Sequence, residues 1–151
     1  MDENGQRYFE ELEVGETVDC GSIEVTEDEM LEFAERYDPQ PFHIDPEAAK
    51  DSMYGDLIAS GWLTAGLSAR LLVTGYMNQN ATLGGNGIDD LRWHRPVYAG
   101  DTLSVSVELV DKHAGDNPLF GHTTAEVTTV NQHGDPVLTM AGLGLVEKRD
   151  A

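Results

Sequence analysis

The chain has 151 residues, enough for one domain with a sizeable core. Apolar residues make up 40 % and aromatic ones 7 %, which excludes a disordered or membrane-embedded chain. Against 28 acidic residues stand nine basic ones, a net charge of −19 that repels nucleic acid and anionic membranes. The imbalance is steepest at the front, where residues 1–60 hold 18 acids and three bases. Only three lysines occur in the whole chain. An acidic, lysine-poor surface suits concentrated salt, which screens repulsion over about 3 Å at 1 M, so a halophilic cytoplasm is the expected setting. No basic leader runs into an apolar stretch, so no secretory signal is expected. The single cysteine, Cys20, excludes an intrachain disulfide, and no CxxC or HExxH spacing suggests a metal site.

In chain order, residues 1–7 are polar and expected to fray, and Tyr8-Phe9 then packs inward. A strand is predicted around Thr17–Val25. Thr26 with Glu29 matches a capping box, and a helix follows from Glu27 to about Tyr37, with Met30, Phe33, Ala34 and Tyr37 on its buried stripe. Asp38-Pro39 ends it. Each of Asp38 and Gln40 precedes a proline, which disfavours helix for both. A short, stiff, non-helical bridge is therefore predicted, holding Asp38 and His43 at defined positions. Such a pair can act as general acid and base; equally, Asp-Pro can merely stop a helix, with His43 an ordinary loop residue. Asp45 caps a further short helix from Glu47 to about Asp51, with Pro46 at its first position.

Leu57 to Met77 is apolar nearly all round. Arg70 at its middle and the lack of basic flanks speak against a membrane span and for a buried helix capped by Ser60 or a neighbour. Its small residues, Gly61, Ala65, Gly66, Ser68 and Ala69, allow close approach of other backbone. Asn78–Gly87 reads as a polar, glycine-rich loop. Strands follow at Ile88–Arg95, Thr102–Lys112, Phe120–Asn131 and Pro136–Lys148, with turns at Gly100-Asp101 and Gly134-Asp135. The fold class is α+β: one antiparallel sheet curled around one helix in a single domain, 1–151. A second Asp-to-His spacing, Asp116 to His122, reads as a hairpin turn rather than a site. Arg92-Trp93-His94-Arg95 is the one basic cluster; it either meets phosphates or lies on a solvated strand face.

Tyr8 to Gly15, Asp38 to His43, Ala59-Ser60-Gly61 and Arg95 to Asp101 together resemble the MaoC-like acyl dehydratases. That family has the hot-dog fold and includes the (R)-specific enoyl-CoA hydratases. The resemblance implies that Asp38 and His43 are the catalytic acid/base pair and that Gly61 supplies an oxyanion-hole amide. It also implies a coenzyme A thioester as substrate, with Gln40, Tyr37, Phe42, Ser60 and Trp62 around it and Arg92 and Arg95 near its phosphates. No metal or redox cofactor is implied, and neither nucleic acid nor membrane is a partner. A homodimer or a dimer of dimers is implied. Three positions depart from the family pattern: Gln40 replaces an asparagine, Tyr37 a glycine, and Ala69 a serine found in some hydratases. A hot-dog thioesterase and a non-catalytic acyl-CoA-binding subunit remain as alternatives.

Overall fold

The computed structural model describes residues 4–150. Among these, five strands form one antiparallel sheet: β1 (Thr17–Glu24), β2 (Thr82–Trp93), β3 (Thr102–His113), β4 (Phe120–Val130) and β5 (Pro136–Glu147). Their spatial order is β1-β3-β4-β5-β2, so β1 and β2 are the edges. The helices are α1 (Glu27–Tyr37), α2 (Pro41–Ile44), α3 (Pro46–Lys50) and α4 (Gly61–Gly75). The sheet curves around α4, the arrangement of the hot-dog fold.

Alternation in β3 turns Leu103, Val105, Val107 and Leu109 inward, and all four are buried. Leu103, Val105 and Val107 meet Leu63, Leu67 and Leu71, which recur at every fourth position of α4, while Leu109 packs with Phe9, Leu12 and Val146. Each fully buried leucine of this kind contributes about 1.5–3 kcal/mol. At the far end of the helix, a Cβ added to Gly75 would lie 2.6 Å from the Cys20 Cα, so only glycine lets β1 approach there. The opposite face of α4, with Trp62, Gly66, Ala69, Arg70 and Val73, is exposed.

Several expectations are corrected. Residues 1–3 lie outside the described part, but Arg7 is held by Glu16 and Asn80 rather than frayed. Tyr37 is 63 % exposed and not on the buried stripe of α1; its ring lies tilted against Phe33, with centres 5.2 Å apart, and carries the Arg36 guanidinium over it. The predicted bridge is partly helical, because Pro41 opens the one-turn α2. Proline restrains the residue before it, and Asp38 and Gln40 are indeed non-helical, yet proline is well suited to start a turn. The long helix begins at Gly61 behind the expected Ser60 cap and ends at Gly75, so the apolar run Leu57–Met77 extends past it at both ends. The glycine-rich loop belongs to β2, which starts at Thr82. Its glycines accommodate bulges: Gly84 has φ 138°, and a Cβ on Gly85 would meet the Leu143 carbonyl at 2.9 Å.

Candidate active site

Asp38 follows the last turn of α1, and His43 sits in α2 five residues on. Two main-chain tethers bring the start of α4 against them. The Ile58 N–H donates to the Phe42 carbonyl at 3.3 Å, and the Ala59 N–H to the Val97 carbonyl at 2.8 Å. Ser60 and Gly61 are thereby delivered to the acid and the imidazole.

The His43 ring is 5 % exposed. Its Nδ1 lies 2.8 Å from the Ile58 carbonyl oxygen, which can only accept, so Nδ1 carries the proton. Nε2 then faces Asp38 Oδ2 at 3.4 Å. That separation is too long for a strong hydrogen bond and leaves both atoms able to bond a third molecule. The Asp38 carboxylate is anchored from two sides: Ser60 Oγ donates to Oδ2 and Gln40 Nε2 to Oδ1, both at 2.7 Å. Burial pushes the Asp38 carboxyl up, but the Ser60 and Gln40 hydrogen bonds and the neighbouring His43 outweigh it and hold it below the ordinary value. Asp38 is thus held in its carboxylate form.

Ser60 is fully buried and does two things with one hydroxyl, since its Oγ also accepts from the Trp62 N–H as the cap of α4. Its predicted contact with substrate is replaced by support of the acid. Gly61 is the first residue of α4, where the amide has no carbonyl one turn back to bond and the helix dipole is positive. Asp38, Gln40, Phe42, His43, Gly61 and Trp62 all line one open pocket of about 390 Å³. Arg95 lines it too. Arg92 does not: it stands opposite Thr139 on the outer side of the sheet, away from α4. Tyr37 also lies off the pocket, beside a separate depression with Glu29, Arg36 and Leu63.

Sequence reasoning missed three contributors. Trp93, 43 % exposed, reaches the pocket and donates its indole N–H to the Gly61 carbonyl at 2.8 Å. Tyr54 packs on Phe42 with ring centres 5.4 Å apart. The Ile58 carbonyl sets the histidine tautomer. None of these is adjacent to the motif in sequence, so no local pattern announces them. A second, mainly apolar cavity of about 200 Å³ lies farther along α4, between Ala69, Leu72, Ile88, Met140 and Leu143. Ser68 faces elsewhere, buried against Thr129 Oγ1 at 2.7 Å. The Asp116–His122 segment is the β3–β4 hairpin, where Asn117 Oδ1 accepts from the Leu119 N–H. Among the described residues, no group of three or more His, Cys, Asp or Glu side chains could hold a metal ion, and no helix is long and apolar enough to cross a membrane.

An acid and an imidazole thus stand against the first amide of the central helix of a hot-dog fold. The chain belongs to the MaoC-like dehydratases: the model of the MaoC like domain matches residues 10–131. It is 31 % identical over 124 residues to the uncharacterised protein YdeM of Bacillus subtilis, covering 82 % of this chain and 87 % of that one. The crystal structure of a MaoC-like dehydratase from Rhodospirillum rubrum superposes with a TM-score of 0.86 at 35 % identity, covering 94 % of this chain and 97 % of that one. An (R)-hydratase from A. caviae gives 0.73 at 26 % identity, over 89 % and 96 %. Membership of this family supports an acyl-CoA hydratase or dehydratase activity in general.

Proposed function

We propose that the protein reversibly hydrates trans-2-enoyl-CoA to (R)-3-hydroxyacyl-CoA without metal or redox cofactor. The observation that carries this reading is the Asp38–His43 pair, 3.4 Å apart and opening into the same pocket as Gly61. A water beside Asp38 Oδ2 and His43 Nε2 gives one proton to the pair as its oxygen bonds to C3. Electron density moves to the thioester oxygen, where the Gly61 amide at the positive end of α4 receives it. The pair returns the proton to C2, so that one water has been added and the site is restored. The reaction needs only proton transfer and charge stabilisation, which is why no cofactor enters. The likeness to an (R)-hydratase supports the stereochemical part.

Arg95 at the pocket is suited to a coenzyme A phosphate. A homodimer is part of the reading: the outer edge of β2 is unpaired, and Leu83, Ile88, Trp62 and Val73 are exposed nearby or on α4. Light scattering should give a dimer; a fully active monomer would contradict this. The charge of −19 supports a halophilic cytoplasm, with resistance to unfolding higher in molar KCl than in dilute buffer. Equal or greater stability in dilute buffer would remove that part.

The direct test is purified protein with crotonyl-CoA in molar KCl, following the enoyl thioester, free thiol and product configuration. Loss of the enoyl signal without thiol, yielding (R)-3-hydroxybutyryl-CoA, is expected. Thiol release would instead make the protein a thioesterase, and tight binding without turnover a carrier subunit.

A further inference from the structure

Trp93 is the last residue of β2, an edge strand, yet it reaches the entry of α4. We infer that Trp93 is a positioning residue for the oxyanion donor, fixing Gly61 from the side that Ser60 leaves open; this rests on the hydratase reading above. The indole Nε1 donates to the Gly61 carbonyl at 2.8 Å. The ring also occupies the space a side chain at 61 would need, since a Cβ built there would lie 2.6 Å from Nε1 and 2.7 Å from Cε2. Trp62 braces the ring edge-on, with centres 5.1 Å apart and planes at 85°.

A bulge puts Trp93 there. Ile88 pairs with Gly142 and Trp93 with Leu138, both on the α4 side of β5, although 88 and 93 differ by an odd number. The extra residue lies between Asp89 and Arg92, where Asp90 has φ 54°, a left-handed conformation that is uncommon outside glycine. In a regular strand Arg92 would face α4 and Trp93 would face outward. The strained residue therefore selects an indole, rather than a guanidinium, to meet Gly61.

The physical need is clear. Glycine has the freest backbone of any residue, and an amide that must meet a developing negative charge is effective only when already aimed. Ser60 caps the helix through the Trp62 N–H and holds the acid through Asp38. Trp93 holds the next carbonyl and fills the space beside Gly61. Three consecutive residues thus tie acid, oxyanion donor and sheet edge together. A side chain at 61 would occupy the ring's place, so glycine and tryptophan form one device.

The test pairs Trp93→Phe, which keeps a ring and removes the donor, with Trp93→Ala, which removes both. Two readouts are taken: kcat and KM for crotonyl-CoA, and the thioester C=O stretch of bound butyryl-CoA, which cannot be hydrated. Trp93→Phe should lower kcat about three- to tenfold and Trp93→Ala about ten- to a hundredfold, with KM within about twofold. The downshift of the carbonyl stretch should shrink in the same order. A folded Trp93→Phe protein with wild-type kcat and an undiminished carbonyl shift would overturn the inference while leaving the hydratase reading intact. A purely structural tryptophan would lower the melting temperature and leave the carbonyl shift unchanged, which also overturns it. Wild-type protein that shifts the carbonyl but never hydrates, with the shift lost on substitution, would sink the hydratase reading and keep the role of Trp93. Wild-type protein that neither binds nor hydrates removes both.

Discussion

The two ends of α4 carry the same kinds of groups arranged to opposite purposes. At its C-terminal end Arg7 meets Glu16 through two contacts, 2.6 and 3.2 Å, and reaches Asn80 Oδ1 at 3.1 Å. Glu16 also accepts from the Tyr76 hydroxyl at 3.1 Å and from the Glu13 N–H at 2.7 Å. Burial pushes the Glu16 carboxyl up, but its hydrogen bonds from Arg7 and Glu13 outweigh this and hold it low, while burial and Glu16 push the Tyr76 phenol up to about 12. Every group there is matched. At the N-terminal end the carboxylate is anchored as firmly, yet its contact with His43 is a single 3.4 Å approach facing an open pocket. A network made to hold saturates its partners; a pair made to work leaves lone pairs for a third molecule.

Substitutions should separate these roles, beginning with the largest effect. His43→Ala is expected to lower crotonyl-CoA turnover by about 10²–10⁴-fold, read in steady-state assays. Ser60→Ala removes the donor to Asp38 and should cost about tenfold in kcat, with the Asp38 carboxyl rising toward its ordinary value in NMR titration. Glu16→Gln should leave turnover unchanged and cost about 1–3 kcal/mol in urea unfolding. Loss of activity without loss of stability there would erase the contrast between the two ends.

The smallest effects are in pH dependence. Glu16 and Asp38 have lowered folded values, so their contribution is present above the ordinary carboxylate range and is lost as pH falls through those folded values. Tyr76 has a raised value, so its contribution is complete below its ordinary value of 10 and lost as pH rises through about 12. Tyr76→Phe should shrink that alkaline decline in the urea midpoint, the raised Cys20 thiol keeping the remainder, and leave the acid limb in place; an alkaline limb of unchanged size would assign it to other groups.

What was legible in the sequence was local. Alternation in β3, the caps at Thr26, Asp45 and Ser60, and the Asp38–His43 spacing all depend on neighbours in the chain, and each stands in the structure. The glycine-rich start of β2 reads as a loop in the sequence, and pairing with β5 overrides the weak strand preference of glycine. Tyr37 reads as buried in the sequence because its spacing is helical, but an aromatic on the margin of a stripe can lie in solvent, here tilted against Phe33. Trp93 was hidden for a different reason. Its direction depends on one bulged residue, and a shift of one position turns a strand side chain to the other face.

The most direct measurement is kcat/KM for crotonyl-CoA hydration by Asp38→Asn beside the wild type, with the thermal midpoint of both taken in the same buffer. A loss of about 10²-fold or more, with the midpoint retained, is the predicted result. Near-normal hydration by a folded Asp38→Asn protein would contradict the assignment of the site.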